Sequence, residues 1–499
     1  MEKWWLRATL TTTYCYSSTP LWPLSSRQTR KNRTYRRTRT ERSNHETWVY
    51  VGRHRSHGRA ITGLEFGTRE DGRVSLVSVG EDRYLVEYNL AESNQETGLL
   101  MAEPPRRIEQ NGLTTALLWH PLLGSDFEDR LVTANNEYKF KQWNADNKSC
   151  RRTTIGPTFG GPINRLRQIN NIHTDGQSRP TDYVAYGTAD KVVGLVQLPL
   201  DGNSHKMMGL IAHPGEISSL SVSGDGNYLV TAGGKDLTVN LWKINTQAVQ
   251  DAATAKTPIK KQSQVAVEQE SDRGDADANS ITPSQMDDMA PFLEQLQGGE
   301  GGDLHEELVD YFFYSLLRTQ GEDTTDERST ANAVPLAEVP NIMRALGYYP
   351  SEEQEVAHML NEVKYSRFAE TGEVEDSVDL NGLIRLFINH RPVFPISKQV
   401  ISEAFTSMGG DPHDAGRLGW STICSKLQAM GEQVSEEELV HCLEALTGDT
   451  STTRMNGRQS LYPMQFAEEV LGFEDHRQSR GNINTERGSL ASTSLFRCG

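Results

Sequence analysis

The sequence has few of the residues from which disulfide frameworks and structural zinc sites are built. Its five cysteines are scattered along 499 residues and never stand in a CxxC pair, so neither kind of site is indicated and a reducing compartment fits. No run of about 18 apolar residues occurs, and no apolar segment precedes a cleavage site near the N-terminus, so membrane spanning and secretion are not expected. Phosphate-loop, GxSxG, HExxH and kinase signatures are also absent. We therefore expect neither an enzyme nor a cofactor.

Apolar residues are scarce as well, at 36% of the chain, and the mean hydropathy is -0.59. The chain is about three times as long as a usual domain. These two properties predict at least two separately folded units together with long disordered stretches.

Charge is unevenly distributed along the chain. The formal net charge is -16, but residues 1–50 carry about +7 and the remainder about -23. Because an acidic body binds nucleic acid poorly, we expect neither nucleic acid nor a membrane as a partner. The basic run 25–42 is suited to an acidic surface or to nucleic acid. We interpret residues 1–47 instead as a solvated, disordered basic tail or as a wrongly predicted first exon.

A repeating pattern of short alternating strands extends over residues 48–244. The clearest unit, 213–245, has a His near its start and an Asp six residues before a Trp. An Asp carboxylate that accepts turn amides stabilises a hairpin too short to be stable alone. Three degenerate copies precede this unit; the second has Glu in place of Asp, and the third has Val in place of the aromatic residue. We interpret the histidines of the repeats as structural residues, not metal ligands.

These units resemble WD40 repeats, each of which forms one blade of a β-propeller. The resemblance implies a buried hydrogen-bond set of His, Ser or Thr, Asp and an aromatic residue in each blade. Propellers usually close with about four to eight blades, so about four divergent blades predict an incomplete propeller whose upstream blades lie outside this sequence. The positions assigned to the set are His57, Asp82, Tyr88, Glu137, Trp143, Asp190, His213, Thr231, Asp236 and Trp242.

The pattern changes after the repeats. Residues 245–300 are polar and predict a disordered acidic linker, whereas apolar residues recur at helical spacing over 301–478. Ser351 and Ser435 each precede a Glu-rich first turn, as N-cap residues do. This region resembles calmodulin, whose two lobes each contain two EF-hands. Residues 479–499 are expected to form a disordered tail.

The resemblance to calmodulin raises the question of calcium. An EF loop has oxygen ligands at positions 1, 3, 5 and 12, with Gly at 6. The third loop fits best, because Asp411 stands at position 1, but Thr422 replaces the bidentate Glu at position 12. Asp411 and Asp414 are therefore weak calcium candidates, and we expect no metal or cofactor. The aliphatic residues that set the register of the four loops are Val334, Val378, Leu418 and Leu461.

The expected fold class is multidomain, with all-β WD40 propeller blades followed by an all-α calmodulin-like EF-hand array. Segments 229–244, 344–363 and 462–475 resemble the ciliary WD-repeat and EF-hand family of the calmodulin- and spoke-associated complex, in the C-terminal portion of its members. The resemblance implies a non-enzymatic scaffold that links radial-spoke bases to the axoneme of motile cilia and flagella. Its implied location is the cytoplasm and cytoskeleton of the cilium or flagellum, and its implied partners are calmodulin and other proteins of that complex. The alternative is a calcium-sensing EF-hand regulator, which intact loops would favour.

Overall fold

The structure is a computed structural model of the chain, which divides into two compact units, Met1–Val393 and Phe394–Gly499. The predicted C-terminal tail and most of the predicted N-terminal tail and linker lie outside the described residues. The structure describes residues 12–16, 49–69, 72–120, 130–172, 178–256, 289–321, 332–366, 368–394, 398–411, 413–430, 433–447 and 460–469.

Small antiparallel sheets in a propeller-like arrangement of four blades make up the first part of unit one. Strands neighbouring in sequence pair within each sheet, and β7 pairs with β5 at the side of the first sheet. The first sheet contains β3 (Ile61–Thr68), β4 (Val74–Gly80), β5 (Tyr84–Asn94), β6 (Gly98–Met101) and β7 (Arg106–Arg107). The second contains β8 (Thr114–His120), β9 (Arg130–Asn135), β10 (Lys139–Asn144) and β11 (Cys150–Ile155). The third contains β12 (Ile163–Ile172), β13 (Ser178–Thr188), β14 (Val192–Gln197) and β15 (Met207–Ile211), and the fourth β16 (Ile217–Val222), β17 (Tyr228–Gly233) and β18 (Val239–Lys243).

Neighbouring sheets share hydrophobic cores, as stacked blades do. Val79 of the first sheet and Leu117 of the second lie in one buried cluster, and Val132 and Leu166 join the second sheet to the third in another. Because strands between two sheets are covered on both faces, they become continuously buried, and all six residues of β10 are buried.

Two segments that were expected to be disordered contain regular structure. Residues 12–16 form β1 (Thr12–Tyr16), which pairs antiparallel with β2 (Val49–His54). The predicted linker 245–300 begins in helix α1 (Thr246–Lys256) and ends in the short helix α2 (289–293). Helix α1 is held because Val249 is fully buried against the core of the third and fourth sheets. Residues 257–288 lie outside the described part of the chain.

Helices and two short strands complete unit one around a separate core. That core combines α2 with buried residues of α3, α4 and α7, such as Leu308, Ile342 and Leu383. The elements are α3 (Asp303–Thr319), β19 (Ala333–Pro335), α4 (Val339–Ala345), α5 (Ala357–Lys364), α6 (Phe368–Thr371), β20 (Ser377–Asp379) and α7 (Leu380–His390).

Unit two is helical with its own small core, in which Phe405, Trp420 and Leu461 are buried. Ser435 and Glu438 form a capping box at the start of helix α10 (Glu436–Thr447), since Glu438 N donates to Ser435 Oγ and Ser435 N donates to Glu438 Oε2. Ser351 makes no such side-chain cap, and its segment starts instead with a π-helical turn, Glu352–Val356. The elements are α8 (Lys398–Ser407), β21 (Leu418–Gly419), α9 (Trp420–Ala429), α10 (Glu436–Thr447), β22 (Ser460–Leu461) and α11 (Pro463–Glu469).

The expected combination of β blades with C-terminal helices is confirmed at this level of detail. Within the ranges that the structure describes, no helix is long and apolar enough to cross a lipid bilayer.

Candidate protein-binding site

Four side chains of the fourth sheet form one hydrogen-bond network. His213 Nε2 lies 2.8 Å from Thr231 Oγ1, and His213 Nδ1 lies 2.8 Å from Asp236 Oδ2. Trp242 Nε1 donates to the same Thr231 hydroxyl at 3.0 Å. The hydrogen bond from His213 lowers the pKa of the Asp236 carboxyl. This hydrogen-bond network connects the turn before β18 to the buried interior of the sheet.

The first sheet contains an equivalent hydrogen-bond network, in which two of the four residue types differ from those of the fourth sheet. His57 Nε2 lies 2.7 Å from Ser78 Oγ, and His57 Nδ1 lies 2.9 Å from Asp82 Oδ1. The phenol of Tyr88 replaces the indole, with its hydroxyl 2.9 Å from Ser78 Oγ. Asp82 Oδ2 also accepts the amide of Gly58 at 2.8 Å, which anchors the His-containing loop.

The second sheet keeps only part of the set. Trp143 Nε1 donates to Thr133 Oγ1 at 2.9 Å, as the indole of the fourth sheet does. The turn, however, is held by Asn135, whose Oδ1 accepts the amides of Glu137 and Lys139. The role assigned to the Glu137 carboxylate is therefore filled by an amide oxygen, and burial raises the pKa of Glu137.

The third sheet departs furthest from the repeat. Asp190 is exposed, and its carboxylate lies 3.8 Å from Lys191 Nζ. The turn is held instead by Thr188 Oγ1, which accepts the amide of Val192 at 3.1 Å. Val196 is buried where the other sheets have an aromatic residue. The structure therefore brings the assigned side chains together fully in the first and fourth sheets only.

Helices α5 and α7 pack against the outer strand β11 of the second sheet. Glu362 Oε2 accepts the amide of Thr153 at 3.1 Å and lies 3.1 Å from His390 Nε2. Asn389 Oδ1 accepts the amide of Ile155 at 3.1 Å. Two helices thus satisfy backbone donors of an edge strand that would otherwise be free to pair with another chain.

The loop that follows the third sheet's strand β14 lies against the same helix end. Asn389 Nδ2 donates to Asp201 O at 3.4 Å. The next residue, Gly202, has φ of +87°, and a Cβ on it would lie 2.1 Å from Asn389 Oδ1. A side chain at position 202 is therefore excluded both by the backbone conformation and by the neighbouring amide.

A group of buried charges lies beneath this contact. Lys141 Nζ donates to Glu109 Oε2 at 2.7 Å; burial lowers the pKa of Lys141, but Glu109, Cys150 and Glu355 together raise it above its ordinary value. Lys139 Nζ donates to Ile388 O at 3.4 Å, and burial lowers the pKa of Lys139 to about 7. The pKa of His358 falls to about 3, chiefly through burial, and its ring meets Trp143 edge to face at 5.6 Å.

Sequence reasoning missed this contact between the sheets and the helices. The available signal was β10, because a strand covered on both faces rarely contains two lysines unless they are paired. Lys139 and Lys141 are those lysines: Lys139 donates to Ile388 O of α7, and Lys141 pairs with Glu109 between β7 and β8. The positions of Glu362 and Asn389 carry no comparable signal.

The four aliphatic residues used to set the loop register lie in two short pairings. Val334 pairs with Val378 between β19 and β20, and Leu418 pairs with Leu461 between β21 and β22. All four are buried, so each pairing is anchored by apolar side chains below it.

The two weak calcium candidates lie in the turn before β21. Asp411 Oδ1 accepts the amide of His413 at 2.8 Å. Asp414 Oδ2 lies 3.4 Å from Arg417 Nη1, and Tyr462 OH donates to Asp414 Oδ1 at 3.3 Å. Among the described residues, no three His, Cys, Asp or Glu side chains are grouped as a metal site would require.

Helix α3 carries a row of exposed apolar side chains. Phe313, Tyr314 and Leu317 are 42%, 54% and 40% exposed, and they share one face because Leu317 follows Tyr314 by three residues and Phe313 by four. Glu307 and Asp310 are exposed beside them. Helices with such a face are suited to a partner helix with apolar and basic side chains.

The chain is similar to proteins that are named for cilia and flagella. A family model described as the CFAP251 C-terminal domain matches residues 303–471. The chain is 32% identical over 481 residues to cilia- and flagella-associated protein 251 of Tetrahymena thermophila. The aligned region covers 88% of this chain and 45% of that protein. The protein of the same name from Mus musculus is 33% identical, over 85% of this chain and 30% of its own length. The Chlamydomonas reinhardtii protein is 28% identical, over 89% and 38%.

Solved structures similar to this chain include two designed proteins. The computationally designed Ika4 protein is 17% identical, with a TM-score of 0.25 over 38% of this chain and 94% of its own. The designed Ika8 protein is 19% identical, with a TM-score of 0.26 over 40% and 50%. Likeness at this level carries no argument.

Proposed function

We propose that the chain belongs to the CFAP251 family of cilia- and flagella-associated proteins and that it is a non-enzymatic scaffold of motile cilia and flagella. The predicted location in a cilium or flagellum is confirmed by these relatives. The chain spans less than half the length of the curated relatives it matches, 45% in the first case. In the proposal it links radial-spoke bases to the axoneme through WD40-type and calmodulin-like surfaces, with calmodulin and other spoke-associated proteins as partners.

The observation that carries the proposal is the apolar row of α3. Phe313, Tyr314 and Leu317 are exposed although the opposite face of the same helix is already buried, so the helix has one face for the core and another for a partner. Exposed aromatic residues are expensive to keep in water and are enriched in protein interfaces. Glu307 and Asp310 favour a partner with basic residues at its rim.

We further propose that the helical region is a degenerate EF-hand array that assembles without calcium. Paired EF loops meet through an aliphatic residue in each loop, and the pairings Val334–Val378 and Leu418–Leu461 support this reading. Calcium would have to compete with Arg417 for the Asp414 carboxylate, which disfavours the alternative of a calcium-sensing regulator. We propose no cofactor for this region.

The experiment uses detergent-extracted axonemes of motile ciliated cells that express the tagged chain. We expect the chain to remain with the axoneme and radial-spoke proteins to be recovered with it after cross-linking. Substituting Phe313, Tyr314 and Leu317 together with Ser should release the chain into the detergent extract. Tyr349, which is 76% exposed and lies outside α3, provides the matched control Tyr349→Ser. The proposal is wrong if the triple variant is retained and recovers the same spoke proteins as the control.

A further inference from the structure

A short segment before α3 buries an apolar face although it belongs to a polar stretch of the sequence. Met289, Phe292 and Leu296 are 3%, 3% and 4% exposed. Their spacings of three and four residues place them on one side of the helical turn that begins with α2. Glu294 and Gln297, by contrast, are exposed. The segment 289–297 is therefore the short helix α2 followed by turns, with its buried apolar side chains on one side.

The apolar face of this segment lies between the helices that follow it. Its three anchors belong to the same buried cluster as Leu308 and Phe312 of α3 and Phe387 of α7. The guanidinium carbon of Arg385 lies 5.1 Å from the centre of the Phe292 ring. Arg385 Nε also lies 3.2 Å from the sulfur of Met289.

The polar face of the segment contacts the blades. His205 Nε2 lies 2.9 Å from Glu294 Oε2, and Gln295 Nε2 donates to Gly202 O at 3.3 Å. Arg391 Nη2 of the helical part donates to Gln295 O at 2.8 Å. This short segment therefore contacts both the blades and the helical part of unit one.

We propose that the groove formed by α3 and α7 is a helix-binding site and that residues 289–296 are its ligand, bound within the chain. The ligand class is a short segment that begins with a helical turn and has apolar side chains at positions i, i+3 and i+7. Pairs of helices with an apolar groove bind partner helices through the same anchor spacing. The inference does not rest on the proposed scaffold function, because only contacts within unit one support it.

The connection between ligand and groove explains why the site stays filled. Residues 298–302 form a five-residue turn in which Gly298, Gly299 and Gly301 all have positive φ. A tether this short gives the segment a local concentration on the order of millimolar, so a free peptide competes poorly. The groove therefore becomes accessible only when the anchors of the segment are weakened.

The test measures binding of a fluorescent synthetic peptide of residues 286–297 to the full chain by anisotropy. The full chain with Phe292→Ala and Leu296→Ala should bind the peptide at least tenfold more tightly than the unchanged chain. Gln297→Ala is the matched control, because this side chain is exposed, and it should bind like the unchanged chain. A peptide that carries Ala at positions 292 and 296 should bind neither the double variant nor the unchanged chain.

Circular dichroism and a thermal melt establish that the variant is folded. If the double variant is not folded, Leu296→Ala alone is measured with the same peptide, and an increase of at least threefold is expected. Hydrogen exchange should also show that the peptide protects amides of α3 and α7. A folded variant that binds the peptide no better than the unchanged chain would overturn the proposal, as would protection confined to other elements.

Discussion

Replacing Thr231 by Val should lower the stability of the fourth sheet while keeping nearly the same side-chain volume. Val is nearly the same size as Thr but has no hydroxyl group, so the substitution removes only the atom at which two hydrogen bonds meet. That atom lies 2.8 Å from His213 Nε2 and 3.0 Å from Trp242 Nε1, and Thr231 itself is fully buried.

The expected cost follows from those two contacts. Each hydrogen bond contributes about 1 kcal/mol, and a buried donor left without an acceptor costs about 1 to 3 kcal/mol. Trp242 is only partly buried, so water satisfies part of its loss. We therefore expect the free energy of opening the fourth sheet to fall by about 2 to 4 kcal/mol.

Hydrogen exchange of the full chain measures this cost one strand at a time. A loss of about 2 to 4 kcal/mol accelerates exchange of amides in β16–β18 by roughly 30- to 800-fold when exchange is limited by opening. The amides of β4, in the first sheet, are an internal reference and should not change.

The variant Thr231→Ser separates hydrogen bonding from packing. Serine keeps the hydroxyl and loses one methyl group, which costs about 0.8 kcal/mol. Exchange in β16–β18 should therefore be slower in Thr231→Ser than in Thr231→Val. Equal exchange in the two variants, or faster exchange in Thr231→Ser, would refute the assignment of the hydroxyl as the centre of this network.

Three further outcomes are expected. Stability of unit one should rise between pH 7 and 9, because the folded chain releases the Lys139 proton near pH 7 whereas the unfolded chain keeps it to about pH 10; urea unfolding of Lys139→Met should show a smaller rise. Calorimetric titration of the full chain with calcium should show no site tighter than about 10 μM, and a tight site lost in Asp411→Asn would contradict this. The segment 48–244 expressed alone should aggregate, since it lacks Val249 of α1 and the helices that cover β11, and a soluble monomer with a sharp melt would count against that reasoning.

The strongest sequence signals were those produced by local physics. The aliphatic residues that set the register of the four loops could be chosen from spacing alone, because a residue such as Val378 must be apolar to anchor a pairing of two loops. The His and Asp of the fourth sheet stand out for a related reason, since a carboxylate that accepts turn amides stabilises a short hairpin.

Contacts between distant segments could not be read in this way. The composition of residues 245–300, rich in Gln, Ala, Ser, Asp and Glu and without a helical apolar stripe, predicts a linker that includes segment 289–297. A helix this short is not stable alone. The helix exists because two other parts of the chain bury it, and that information is absent from its own composition. The exchange of Glu137 for Asn135 was missed similarly, since either side chain can accept turn amides.

The close approach of Gly202 to Asn389 has a consequence for how this protein can vary. A methyl group at 202 would meet the amide at 2.1 Å, while a shorter residue at 389 would leave the amide of Ile155 without its acceptor. Because the positive φ at 202 also disfavours a side chain, a change at one position cannot be compensated by a change at the other, and both Gly202 and Asn389 should be kept. Chimeric chains that combine blades from one relative with helices from another should fold only when the blades supply the glycine and the helices supply the asparagine.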